Sequence, residues 1–333
     1  MREYRFDVVR VVCMTYIVTY VHLYGYIYPQ GHMTSFQPAS IALAHACLGL
    51  FTFVSGYLLG RKYCFGQQGE SDVRTFYKKR ILRIIPLFVL ASISLWLIGG
   101  NGTRATLNGL LCISPFVNPK PMTLYYIPVI LWCYLLTPLV SRHGLKRRVG
   151  YSLSVMALLI AARVLFPSID NRFVFNVLFF FTGIVSASCF DWKAHTSLGK
   201  ATKTFAVLAF ILLSAIMIYY SLLYSTTAQI ALGALGVFPI LFVCEGISSL
   251  LFDSSSARQD GFKSVGCRLT IAISYASMCS YMFHRFFYWA AERIWNPSDT
   301  AVKWLFMIAI VYPIILVASY AIQKRYDDTV KRL

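Results

Sequence analysis

The sequence predicts an all-α polytopic integral membrane protein of about ten transmembrane helices, with both termini cytoplasmic. Three observations carry that fold class: too few charges to cover a water-facing exterior, apolar runs of bilayer length, and basic residues gathered at alternate connections. Of 333 residues, 58% are hydrophobic and only 13% charged, and the mean hydropathy is +0.62. Soluble domains carry about 25% charged residues, so a soluble chain of this length would lack a charged shell. The net charge of +18 raises the question of nucleic acid. A nucleic-acid binder gathers its cations on one stripe or domain; here they fall in short clusters between apolar runs. The expected partner is therefore a lipid bilayer, with no nucleic acid.

A spanning helix needs about 20 mostly apolar residues. Such runs lie at 7–28, 40–60, 81–99, 124–141, 149–166, 173–190, 203–222, 228–251, 268–290 and 303–323. The run 149–166 is short and contains Arg163, which makes it the weakest of the ten. The first run lacks the small-residue cleavage site of a secretory signal and is expected to stay in place. No connection is long enough for a separate unit, so residues 1–333 are expected to form a single membrane domain. None of the nine cysteines forms a CxxC pair, and they read as small apolar residues. Neither a metal site nor a disulfide framework is expected.

The positive-inside rule orients the spans. With a cytoplasmic amino terminus, the inside segments hold 22 of the 31 Lys and Arg residues, and the outside loops hold only Arg104, Lys120, Arg172, Arg293 and Lys303. Adding or removing one span would scramble this alternation. The longest outside loop, 100–123, has an apolar stretch from Leu107 to Val117 suited to the membrane interface.

Ionisable residues within spans are costly and usually face a bundle interior or cavity. Here they include Asp7, Arg10, His22, His45, Arg83, Arg163, Glu245 and the pair His284–Arg285. Orientation puts Arg10 and Arg83 near the cytoplasmic face, with His22 and His284 towards the outer face. Twelve residues at 1.5 Å each set His22 about 18 Å along the helix from Arg10. Arginines at a cytoplasmic mouth suit a phosphorylated cofactor, and an imidazole kept from water can take a proton from a hydroxyl. The same arginines also serve as boundary anchors in many membrane proteins, and a buried histidine can be purely structural; His45 fits that role best.

Several segments, in order, resemble the membrane acyltransferase-3 family. Phe6-Asp-Val-Val-Arg10, with its helix reaching His22, is similar to the family's amino-terminal Arg/His signature. Leu50-Phe-Thr-Phe-Val-Ser-Gly-Tyr57 resembles its second-helix element. Phe76-Tyr-Lys-Lys-Arg-Ile-Leu-Arg83 followed by Pro86 resembles its RxxR entry into helix three. Tyr125-Tyr-Ile-Pro128 through Pro138, Phe179-Phe-Phe-Thr-Gly183 and Ser280-Tyr-Met-Phe-His284 resemble later elements. Each alone is weak; six in order are specific.

The resemblance implies a ten-helix core in the bacterial inner (cell) membrane. It implies transfer of an acyl group, acetyl in the family's manner, from cytoplasmic acyl-coenzyme A to a hydroxyl of a cell-envelope saccharide, lipid-linked saccharide or similar acceptor. Acetyl-coenzyme A or another acyl-coenzyme A enters as donor substrate, with no permanently bound cofactor. Carried over by position, His22 and His284 are the catalytic candidates, and Arg10, Arg80 and Arg83 the donor-binding ones. No further domain is expected after the last span, so the transfer is expected to finish in the membrane domain or with a separate partner. A transporter or flippase for a lipid-linked saccharide is the alternative, although no inverted repeat is evident; an inactive relative is the third reading.

Two positions depart from the family pattern. Tyr126 stands where the family often has Trp. The family signature has ten residues between Arg and His, whereas Val11 to Val21 makes eleven. On an ideal helix a separation of eleven positions leaves two residues within about 20° of one face, but twelve positions set them about 120° apart. Either a π-bulge absorbs the extra residue, or Arg10 plays another role.

Overall fold

The computed structural model describes residues 3–28, 37–64, 73–141, 145–189, 200–219, 225–252 and 261–331. The basic residues Arg2, Arg142, Lys193, Arg258 and Arg332, counted in the charge alternation, lie outside them. Among the described residues the structure is all-helical: α1 (Tyr4–Ile27), α2 (Gln37–Cys64), α3 (Val73–Leu97), α4 (Thr103–Leu110), α5 (Tyr126–Ser141), α6 (Leu145–Leu165), α7 (Asn171–Cys189), α8 (Lys200–Tyr219), α9 (Thr226–Phe252), α10 (Gly261–Ile294) and α11 (Thr300–Val330).

Each predicted span overlaps one of these helices. Seven among the described residues are long and apolar enough to cross a membrane: α1, α2, α3, the segment Thr123–Val140, α6, α9 and α11. The predicted spans 173–190 and 203–222 fall on the shorter apolar stretches Asn171–Ala187 and Thr202–Ile218. The span 268–290 falls within α10, whose length is ample but whose course is broken by polar side chains such as Ser274, Ser277, Ser280, His284 and Arg285. Hydropathy undervalues this helix because its polar residues face protein rather than lipid. In α6 the feature that weakened the prediction is accommodated at the end of the helix, where Arg163 Nε donates to Asn171 Oδ1 at 2.6 Å.

The core forms around α2, which packs between α7 and α9, while α1 lies against α2, α9 and α10. Val9, Cys13, Leu50, Phe53, Val237 and Cys279 are among its buried side chains. In lipid, helices associate through close packing of small residues rather than through exclusion of water. The α2–α7 seam shows this directly. A Cβ on Gly56 would strike the Phe180 carbonyl oxygen, and one on Gly183 would strike the Phe53 carbonyl oxygen. These are the glycines of the Ser-Gly-Tyr57 and Phe-Thr-Gly183 segments, so those motifs specify backbone contact between two helices. Gly183→Val must push the helices apart and is expected to cost about 1–3 kcal/mol or more, read as a lower thermal unfolding midpoint in detergent. The outward faces of α6 and α11 are apolar and exposed, as at Leu158, Val164, Leu305 and Val317, consistent with contact to lipid chains.

Two helices contain a widened turn. In α1 the residues Ile17–His22 form a π-turn, which takes up the extra residue between Arg10 and His22. A second π-turn, Met307–Val311, lies in α11 just before Pro313. A proline ring clashes with the carbonyl four residues earlier in a regular helix, and a wider turn relieves that clash. The two helices meet near these turns, where Thr15 Oγ1 and Tyr312 Oη hydrogen-bond at 2.6 Å.

The loop 100–123, predicted to lie outside, is tied down at several points. Asn101 Oδ1 accepts from the Met122 amide at 2.9 Å, Asn108 Nδ2 donates to the Pro119 carbonyl at 2.8 Å, and Trp132 Nε1 donates to the Cys112 carbonyl at 2.8 Å. Leu107 and Leu111 are exposed, as expected of an interfacial face. Asp170, in the connection before α7, pairs with Lys120 of this loop and with Arg172. Burial alone pushes the Asp170 carboxyl up, but the hydrogen bonds and charge of Arg172, joined by Lys120, outweigh it and hold the group well below the usual carboxylate range. A depressed carboxylate contributes stability that is fully present above its unfolded value of about 4 and fades as pH falls towards the folded value. Asp170→Asn is therefore expected to destabilise by about 1–3 kcal/mol at pH 7. The gap to the parent protein should shrink below about pH 4, measured as unfolding midpoints across that range.

Candidate active site

A cavity of about 880 Å³ lies among α1, α2, α3, α5, α10 and α11. Its charged residues gather at the end of the bundle that the charge alternation assigns to the cytoplasm. Arg10, Lys62, Arg80, Arg83, Arg268, Lys324 and Lys331 line it, against only Asp7 and Asp328. Leu48, Phe51, Ile84, Ile127 and Ile130 supply apolar wall, Tyr134 stands beside Arg80, and Tyr126 and Tyr281 meet across the lining.

Several of the cations are held in place. Arg10 Nη1 lies 3.4 Å from Asp7 Oδ1, and the buried Asp7 accepts a 2.6 Å hydrogen bond from Ser274 Oγ. The guanidinium of Arg80 sits over the rings of Tyr134 and Phe76, 5.2 and 5.8 Å from their centroids. This contact fixes the plane of a group otherwise free to swing. Arg83, one helical turn later on α3, lines the same cavity.

Tyr281 marks the inner end. Its ring meets Tyr126 edge-on at 5.9 Å and lies 6.1 Å from the His22 ring, and its hydroxyl donates to the Thr123 carbonyl. Beyond it stand His22 and His284, their rings nearly parallel at 7°, with His22 Nδ1 2.9 Å from His284 Nε2. His284 is fully buried; its Nδ1 lies 2.8 Å from the Tyr281 carbonyl and 3.3 Å from the Ser280 carbonyl. A carbonyl can only accept, so Nδ1 of His284 carries the proton. Neutral His284 then presents its Nε2 lone pair, which accepts from Nδ1–H of His22 and leaves the lone pair of His22 on Nε2. A main-chain carbonyl thus sets the tautomer of His22 through an intervening imidazole. In chemical terms, His22 Nε2 is a base or nucleophile whose orientation is set by a second residue.

The predicted site residues therefore fall into two connected groups. Arg10, Arg80 and Arg83 share the basic end of the cavity, and His22 pairs with His284 behind its tyrosine-lined inner end. His45 does not line the cavity; it packs against Phe175, with ring centroids 6.4 Å apart, and beside Gly233. Sequence reasoning missed Lys62, Arg268, Lys324 and Lys331, which were read only as topological anchors. Tyr281 was also missed, and Tyr126 was noted only as a departure from the family pattern, although both lie in motif-like segments. Among the described residues no group of His, Cys, Asp and Glu side chains could hold a metal ion.

A family model described as "Acyltransferase domain" matches residues 3–324, nearly the whole chain. No curated protein and no solved structure matches.

Proposed function

The chain belongs to the acyltransferase-3 family, and from that premise we propose that it transfers an acyl group, acetyl in the first instance, from cytoplasmic acyl-coenzyme A to a hydroxyl of a cell-envelope saccharide or similar acceptor. In this reading residues 1–333 form one multi-pass domain of ten spans in the bacterial inner membrane, with both termini cytoplasmic. One observation carries the proposal: a single cavity runs from a strongly basic end to a tyrosine lining directly against a hydrogen-bonded histidine pair. The phosphates of coenzyme A suit the basic end, where charge-assisted hydrogen bonds are strongest. The volume lies at the upper end of the roughly 300–1,000 Å³ range of ligand pockets, as a nucleotide-bearing donor requires.

The chemistry follows from the tautomer. His22 Nε2 takes the proton from the acceptor hydroxyl as its oxygen attacks the thioester carbonyl. The carbon–sulfur bond then breaks, and the coenzyme A sulfur leaves with the proton returned by His22. While His22 is protonated, the hydrogen bond from its Nδ1–H to His284 Nε2, backed by the Tyr281 carbonyl, stabilises the imidazolium. The same lone pair could attack the thioester first; a pre-steady-state burst of released coenzyme A without acceptor would mark that route.

The test uses the full-length protein in nanodiscs, with acetyl-coenzyme A hydrolysis or transfer measured beside His22→Ala. Turnover that disappears in the variant supports the proposal. If no acyl-coenzyme A is consumed and a lipid-linked sugar binds instead, the protein is a transporter.

A further inference from the structure

We propose that Tyr288 is a positioning residue: its hydroxyl holds the π-turn of α1 open and so sets the register of His22 against His284. The kinetic consequence rests on the acyl-transfer reading; the structural claim does not.

In a regular helix Arg10 and His22 would point about 120° apart. The π-turn Ile17–His22 takes up one residue, so twelve positions turn through the angle of eleven and the two return to within about 20°. An inserted residue shifts the amide donors along by one, so the carbonyls of the turn accept from the fifth residue on instead of the fourth. A carbonyl has two lone pairs, and in the widened turn one of them is open to a donor from outside the helix. Tyr288 Oη supplies one, donating to the Val18 carbonyl at 3.0 Å. Within the turn, Thr19 Oγ1 donates back to the Thr15 carbonyl at 2.7 Å.

Tyr288 is suited to this task by its place on α10. It lies four residues after His284, hence on the same face, and its ring stands edge-on to the His284 ring at 5.7 Å and 77°. It is fully buried and packs with Met14, Val18, Met307 and Val311. One rigid side chain therefore touches both the π-turn backbone and the partner histidine. Without its hydroxyl the turn loses a donor, and relaxation to regular geometry carries His22 away from His284.

The test is a cycle of four full-length proteins in nanodiscs: the parent, Tyr288→Phe, a deletion of Thr19, and both changes together. Deleting Thr19 removes the extra residue and lets the turn close to regular helix with its own amide donors. Tyr288→Phe in the parent should lower kcat about tenfold with KM for acetyl-coenzyme A unchanged. In the deletion background the same substitution should cost less than about twofold. Equal losses in both backgrounds, a loss confined to KM, or unchanged kcat would overturn the proposal. Thermal unfolding of the same proteins supplies an arm that needs no substrate: non-additive midpoint shifts support the clamp, and additive ones refute it. A parent that turns over no acyl-coenzyme A defeats the acyl-transfer reading while this arm still decides the clamp. If the deletion protein does not fold, the kcat-against-KM split of Tyr288→Phe decides.

Discussion

His22→Ala is expected to lower kcat for acyl transfer by about 10²- to 10⁴-fold, the range contributed by a positioned general base, while donor affinity changes less than about threefold. The reason for the split is spatial. The donor's phosphates would sit among the basic residues at one end of the cavity, and His22 stands behind Tyr281 at the other. His284→Gln is the informative companion. It keeps a polar side chain beside Nδ1 of His22 but gives up the fixed tautomer delivered by the Tyr281 carbonyl, so it should retain more activity than His22→Ala. Steady-state kinetics with acetyl-coenzyme A, alongside donor binding by isothermal titration, check both. A fall in donor affinity as large as the fall in kcat for His22→Ala would place the donor elsewhere.

The second large effect concerns the basic end. Arg83→Ala is expected to weaken donor binding about 10- to 100-fold, the worth of one charge-assisted hydrogen bond to phosphate, with little change in the unfolding midpoint. Arg83→Lys should recover only part of that affinity, because a lysine supplies charge without the planar fork. Donor affinity of the parent should fall as salt rises, and the Arg83→Ala protein should respond less steeply. Undiminished affinity in well-folded Arg83→Ala would make this arginine a boundary anchor alone. Lys324 and Lys331, which reach the same cavity from α11, make the prediction sharper. Their neutralisation should weaken binding too, although both lie some 240 residues from Arg83 in sequence.

How much of this was legible in the sequence can be judged residue by residue. His22 was visible because a histidine interrupts an apolar run, and its pairing with Arg10 drew attention to a spacing one residue too long. The remedy, a π-bulge, was one of two alternatives at that stage, since helix period alone cannot say whether a turn widens or a side chain changes role. The α10 helix illustrates the opposite difficulty. Its serines, His284 and Arg285 lower its hydropathy, yet these polar residues are what the bundle interior uses. Asp7 and Ser274 looked unrelated, being 267 positions apart; their hydrogen bond anchors the residue that pairs with Arg10.

The sequence by itself determined that the chain is a helical membrane protein of the acyltransferase-3 kind, and it determined which end of the bundle carries the cations. The family kinship rests on short motifs in order; the helical membrane class and the cationic end depend on local composition, since the energetic cost of charge in lipid acts on each segment independently. Only the tertiary structure decided that His22 meets His284, that a main-chain carbonyl sets their tautomers, and that Tyr288 reaches the carbonyl of Val18. Each is a contact between segments more than 250 residues apart, or depends on one. A hydrogen bond requires atoms placed to within a few tenths of an ångström, a precision that helix period and apolar runs do not encode but close-packed helices impose.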